Sequence, residues 1–263
     1  VKLKGVLLVE RTVIEEKMTL LQYDPYDPEK IALNEQIILE HYRSEGYPRV
    51  SVNSIIETVE ADFENAGERF RVIFEMNEAP RVYLTDIYVS GTKYYSELEI
   101  KRFIMSSEID CVSWANQSGL FREEMINQDL SVITQHYLKK GYIKVFVDKP
   151  EVTLIHNPDY SRVDVRLNIS EGDQYFIGKI KVSGDVLGDQ EMLKEDLLLE
   201  EGEIYNPFLQ NRDRSGISEI YHEQGYAFVR VIPETVINEE TKIVDVNFRV
   251  VKGEKAYIGR LEI

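Results

Sequence analysis

The chain repeats itself, and this limits its fold more than any other feature. Each repeat must be a supersecondary unit able to pack beside a copy of itself. Val1–Pro28 lies over Ile180–Pro207 without a gap. Val1-Lys-Leu-Lys-Gly5 falls on Ile180-Lys-Val-Ser-Gly184, and Tyr26-Asp-Pro28 on Tyr205-Asn-Pro207. The same shift of 179 positions carries Tyr42 onto Tyr221 and Gly46-Tyr47 onto Gly225-Tyr226. A third copy lies between them. Ile87-Tyr-Val-Ser-Gly91 precedes its match at Ile180–Gly184 by 93 positions, and Tyr137–Tyr142 precedes Tyr221–Tyr226 by 84. The middle copy therefore carries nine extra residues (93 − 84 = 9), within Ser106–Gly119. Val163–Gly172 matches Val244–Gly253, and Tyr257–Ile263 repeats Phe176–Val182.

Every copy reads alike. A short alternating strand ends on Gly, and alternation puts one face on a core and the other in water. A helical stretch follows, such as Gln190–Glu200. A second helix opens at Asp27-Pro28 or Asn206-Pro207, a capping residue before Pro at the first helical position. It ends at Tyr-x-x-x-Gly-Tyr, where Gly takes the left-handed cap. Two strands close the unit. The last is amphipathic, with Val163, Val165, Leu167 and Ile169 alternating with Asp164, Arg166 and Asn168. The predicted class is α+β: three tandem βααββ modules, each a three-stranded mixed sheet with two helices on one face. The expected limits are 1–80, 81–174 with the insertion 106–119, and 175–254, followed by the first strand of a truncated fourth module over 255–263. Both ends stop inside strand-like text, so a segment of a larger protein is expected.

Charge narrows the partners. There are 31 basic and 47 acidic residues, a net charge of −16. Nucleic acid and anionic lipid would be repelled, since binding phosphates needs a basic footprint. Polypeptide partners fit better. The single cysteine, Cys111, excludes an intrachain disulfide and Cys-rich zinc sites. His41 and His136 precede the repeated Tyr and His222 follows it, so duplication assigns them to the scaffold; His156 is the fourth imidazole. Tyr42, Tyr137 and Tyr221 read as core rather than as a carbohydrate-stacking platform. No Gly-rich phosphate loop or calcium loop is present. No catalytic, cofactor-binding or metal-binding residue is assigned, and no enzyme activity or cofactor is expected. An acidic glycan-binding or hydrolytic module is the alternative from a different class.

The second strand of each unit carries a candidate site. It holds Pro150 in the middle copy and Pro233 in the last, and Pro cannot donate to a ladder. That strand should be an edge, with the third strand inside. The middle copy has one more residue between its Val and its Pro, which predicts a bulge. An open edge of apolar and β-branched residues is an aggregation hazard unless it has a use. Strand addition, in which an extended peptide bonds to the edge through main-chain groups, is that use. The candidate protein-binding residues are Val145, Phe146, Val147, Glu151, Val152, Thr153, Leu154 and Ile155.

The tandem βααββ unit, with Gly after strand one and the Tyr-x-x-x-Gly-Tyr turn, resembles the POTRA (polypeptide-transport-associated) domain over the whole chain. It is most similar to the periplasmic arm of the BamA family of outer-membrane β-barrel assembly proteins. Cys111-Val-Ser-Trp-Ala-Asn-Gln-Ser-Gly119 and Glu171–Gln174 resemble the third domain of that family. Ser183-Gly-Asp-Val-Leu-Gly188 and Gly202-Glu-Ile-Tyr-Asn206 resemble the fourth. The resemblance implies domains two to four of a five-domain arm preceding a membrane barrel, at the periplasmic face of the bacterial outer membrane. It implies unfolded outer-membrane proteins as clients and accessory assembly lipoproteins such as BamB as partners. Contact with the membrane would come only through a barrel domain absent from this chain. The arm of a related outer-membrane polypeptide translocator is the other family reading.

Overall fold

The computed structural model describes residues 1–59, 69–109, 119–157, 160–188 and 190–257. The chain forms two compact units. One comprises Val1–Ser90, Tyr95–Ser131 and Lys149–Asn168; the other comprises Gly91–Tyr94, Val132–Asp148 and Ile169–Ile263. The middle repeat contributes to both.

The first repeat is β1 (Lys2–Lys4), α1 (Arg11–Lys17), α2 (Pro28–Ser44), β2 (Ser51–Val59) and β3 (Arg69–Asn77). The middle repeat is β4 (Val82–Ser90), α3 (Glu97–Phe103), α4 (Glu123–Leu138), β5 (Phe146–Val147), β6 (Glu151–Asn157) and β7 (Tyr160–Ser170). The last is β8 (Phe176–Gly184), α5 (Gln190–Glu195), α6 (Pro207–Glu223), β9 (Arg230–Asn238) and β10 (Ile243–Val251). Each repeat makes a mixed sheet. The orders are β1-β3-β2, β4-β7-β5 with β6 also on β7, and β8-β10-β9. The first strand runs parallel to the third, and the second runs antiparallel to it.

Alternation decides which face is covered. Val72, Phe74 and Met76 of β3 are buried with Ile31, Ile38 and Tyr42 of α2. Val244, Val246, Phe248 and Val250 of β10 are buried with Ile217 and Tyr221 of α6. The helices therefore lie on one face of each sheet. The expected starts hold: Asp27 accepts the Glu29 and Lys30 amides, and Asn206 accepts that of Phe208. So do the ends. Gly46, Gly141 and Gly225 have φ of 86°, 78° and 91°. The following amide, of Tyr47, Tyr142 or Tyr226, then reaches back to the carbonyl of Tyr42, Tyr137 or Tyr221.

One expected helix is shorter than its text. Of Gln190–Glu200 only Gln190–Glu195 is helical. The reason is a polar residue on the second helix that sequence patterning does not reveal. The Asp213 carboxylate accepts the Leu198 and Leu199 amides at 2.8 and 3.0 Å, drawing the chain out of the helix and leading Leu199 into the core. Asp129 does the same for Met105 and Ser106 at 2.7 and 3.0 Å, and Asn34 for Thr19 and Leu20 at 2.9 and 3.3 Å. All three acceptors are buried and occupy one repeat position. A buried acceptor that holds two otherwise orphaned donors is a scaffold feature.

Candidate protein-binding edge

Every sheet has two edges, and the fold treats them differently. In the middle and last repeats the first-strand edge is closed. The Glu108 carboxylate accepts the Ile87 amide of β4 at 2.9 Å, and Glu201 accepts the Ile180 amide of β8 at 2.9 Å. Glu108 is itself held by Lys101 at 2.7 Å. Burial opposes its ionisation, but the Lys101 ammonium and the Ile87 amide outweigh that and lower its pKa. The segment entering the second helix covers the rest of this edge. Leu84 donates to Gly119 O, Phe121 to Val82 O, Ile177 to Glu203 O and Tyr205 to Tyr175 O.

In those two repeats the second-strand edge lacks such cover. β2, β5–β6 and β9 each lie at the end of a sheet, with no further strand beyond them among the described residues. Pro233 sits within β9 opposite Phe248. At the matching position Ser54 donates its amide to Glu35 Oε1 at 2.7 Å instead of to the ladder. An outward amide is thus quenched there by a glutamate in the first repeat and abolished by Pro233 in the last, with Pro150 at the matching place in the middle one. The Glu35 contact is not readable from strand propensity.

The middle repeat departs from the other two by an interruption. Val147 faces Ile169, and the next pair is Glu151 with Arg166. Four steps on one strand (147 to 151) match three on the other (169 to 166), the extra residue expected from the sequence. The candidate residues therefore divide into three groups. Val145 precedes the strand, its amide bonded to Tyr142 O. Phe146 and Val147 form β5, with Phe146 62% exposed. Glu151 to Ile155 lie in β6, every one exposed. Val152, Leu154 and Ile155 remain 46%, 47% and 46% exposed although they pair with β7. Val152 and Leu154 pair with Val165 and Val163, which are fully buried; Glu151, Thr153 and Ile155 pair with Arg166, Asp164 and Arg162. One face of this edge, with Val152 and Leu154, is apolar, and the other mixes Glu151, Thr153 and Ile155 opposite charged residues of β7.

The repeats also differ in one clamp. Glu78 accepts the Leu7 and Leu8 amides at 2.9 and 3.1 Å and the Tyr42 hydroxyl at 2.5 Å. Glu171 accepts the Lys93 and Tyr94 amides at 2.8 and 2.9 Å and the Tyr137 hydroxyl at 2.7 Å. Burial foremost, with the Glu78 carboxylate beside it, raises the pKa of Tyr42. In the last repeat this position is Lys252. There the Tyr221 hydroxyl donates to Asp185 O and accepts the Leu187 amide, both at 3.0 Å, and Asp185 Oδ2 accepts the Lys252 amide at 3.2 Å. Tyr42, Tyr137 and Tyr221 are all fully buried, as core residues. His41 is buried against Lys17, with Nδ1 and Nζ 3.0 Å apart. Cys111, together with Val112–Ser118, lies outside the described residues. Among the described residues no group of three or more His, Cys, Asp or Glu could hold a metal ion, and no helix is long and apolar enough to cross a membrane.

The family model for POTRA, "surface antigen variable number repeat", matches residues 1–79, 82–172 and 175–253. The chain belongs to the POTRA family. Among curated relatives, the outer membrane protein assembly factor BamA of Nitratidesulfovibrio vulgaris is 26% identical over 88% of the chain and 29% of its own length. A putative outer membrane protein assembly factor of Treponema pallidum is 24% identical over 99% of the chain and 31% of its own length. The chain thus spans about three tenths of the length of these two relatives. The crystal structure of Haemophilus influenzae BamA POTRA domains 3–5 shares the fold. It has a TM-score of 0.53 at 16% identity, covering 95% of this chain and 93% of that one. The α+β tandem expected from the repeats is therefore a POTRA tandem.

Proposed function

We propose that these POTRA domains are the periplasmic arm of an outer-membrane protein assembly factor, acting without chemistry of their own. They bind unfolded outer-membrane proteins by strand addition at the second-strand edge and dock accessory lipoproteins of the BamB kind. The modules are 1–80, 81–174 and 175–254, with 255–263 opening a fourth. The likeness to BamA proteins supports the setting. The single observation that carries the binding mode is the contrast between edges. Carboxylates and entering segments occupy the first-strand edge, whereas β6 leaves Val152, Leu154 and Ile155 exposed on an unpaired border.

The test uses a proline. Leu154 is two ladder steps from Val152 and four residues from Pro150, so its amide shares the outward parity of the prolines. Leu154→Pro removes an outward donor while leaving the inner ladder with β7 intact. We expect an alternating peptide from an outer-membrane strand to shift the β6 amides, with affinity falling at least tenfold in the variant while the fold persists. Unchanged affinity, or shifts confined to other edges, excludes this edge as the site.

A further inference from the structure

The three Tyr-x-x-x-Gly-Tyr turns each begin a junction to the chain that follows. Gly46 O accepts the Val82 amide at 3.0 Å, Gly141 O that of Tyr175 at 2.9 Å, and Gly225 O that of Ala256 at 2.9 Å. A cation covers the second tyrosine at two of them: Arg81 lies 5.0 Å from the Tyr47 ring and Lys255 5.2 Å from that of Tyr226. The third junction is thus already started, on the same backbone bond as the first two.

Three residues after each of these glycines stands a side chain with a shared task. Arg49 donates to Ser161 Oγ at 3.4 Å, at the start of β7. Lys144 pairs with Glu239 in the turn between β9 and β10. In both cases a cation reaches the hairpin formed by the second and third strands of the following repeat and meets a polar group. The third member of the series is Phe228, 74% exposed. A phenyl ring carries neither charge nor donor, so it cannot repeat that contact with a polar turn.

We propose that Phe228 anchors an apolar junction. It packs against the hairpin of the second and third strands of a further POTRA module that begins with Tyr257–Ile263, and this hairpin presents an apolar side chain where the two earlier ones present Ser161 and Glu239. The proposal rests on the reading of Tyr257–Ile263 as a first strand. The occupant follows from continuity with the two junctions already formed. The exposed Lys144–Glu239 pair should weaken with salt, whereas contact through Phe228 should not.

The experiment places a photoreactive benzoylphenylalanine at position 228 of the full-length protein, and at position 144 as the reference, and maps cross-links by mass spectrometry at low and high salt. The expected result is cross-linking from 228 to the hairpin of the segment after Ile263, at a yield indifferent to salt. Position 144 should label residues around Glu239. Cross-links from 228 to a separate protein or another segment, or none while 144 reacts, overturn the proposal. Hydrogen exchange separates its failure from that of the underlying reading, since slow amides over 257–263 report the strand whatever Phe228 does. Phe228→Lys should speed exchange of the Ala256 amide at least tenfold and Phe228→Leu much less. Equal rates in the two variants would also count against it.

Discussion

The middle and last repeats solve one problem in two ways. Each needs a second strand at the sheet edge that pairs inward and stays silent outward at one position. The last repeat keeps β9 unbroken from Arg230 to Asn238 and tolerates Pro233 inside it. The middle repeat breaks the strand into β5 and β6 with one extra residue. The outcome is not equivalent. β9 carries Glu234 on its edge, tied to Arg249 and Asn247 at 2.6 and 3.0 Å, so a fixed charge lies beside the place where a new strand would enter. Those bonds, above all that to Arg249, lower the pKa of Glu234. β9 also exposes Val236 and Ile237, but β6 exposes Val152, Leu154 and Ile155 with no such tied charge among them. Topology makes an edge available, and side chains decide whether it is inviting.

The largest effect should come from what the repeats share. Replacing Asp129 or Asp213 by Ala leaves two amides near the helix end without their acceptor. Buried bonds to a charged group contribute about 1.5–3 kcal/mol each, so either variant should lose roughly 3 kcal/mol or more in urea denaturation. Asp213→Asn should lose far less, because Asn34 already performs the task in the first repeat. Comparable losses for Asp→Ala and Asp→Asn would mean that charge, not acceptor geometry, holds the turn.

The clamp sharpens the difference. Glu171→Lys gives the middle repeat the residue of the last one and strips the Lys93 and Tyr94 amides and the Tyr137 hydroxyl of their acceptor. A loss of about 2–4 kcal/mol is expected. Thr92 stands where the last repeat has Asp185, so Thr92→Asp should restore part of it. A double-mutant cycle with no coupling between positions 92 and 171 would contradict the clamp exchange. The exposed Lys144–Glu239 pair sits below both: Lys144→Ala should cost under about 1 kcal/mol, measured as a shift in urea midpoint at low salt.

Much of this was legible in the sequence because duplication states it three times. Gly46, Gly141 and Gly225 fix the helix ends, Asp27 and Asn206 the starts, and the β7 alternation the covered face. Pro150 and Pro233 announce the edge, and the extra residue before Pro150 announces the interruption. What stayed hidden were contacts between distant polar groups. Nothing in local patterning separates Asp213, which ends a helix, from any other acid among 47, nor Glu108 and Glu201, which close an edge. Their roles depend on where the chain returns, and only the packed sheet fixes that.

The smallest effect concerns a residue that distinguishes the first repeat from the last. His41 corresponds to His136 in the middle repeat and to Ile220 in the last, so the last repeat lacks the imidazole that the first two place there. Burial, foremost, and the Lys17 ammonium beside it lower the pKa of His41; Glu45 pulls the other way. Protonation would set a cation against Lys17, whose Nζ is 3.0 Å from Nδ1. The folded chain therefore binds this proton less readily than the unfolded one, whose imidazole titrates near 6.5. The stabilisation is complete above that value and is lost as pH falls through it toward the lower folded value. Only one proton is involved, so the slope stays below about 1.4 kcal/mol per pH unit. Urea midpoints recorded from pH 7.5 to 5 should decline for the wild type, and His41→Leu should flatten this part of the decline. If the variant declines as steeply as the wild type, the titration resides elsewhere and His41 does not set the pH response of the first repeat.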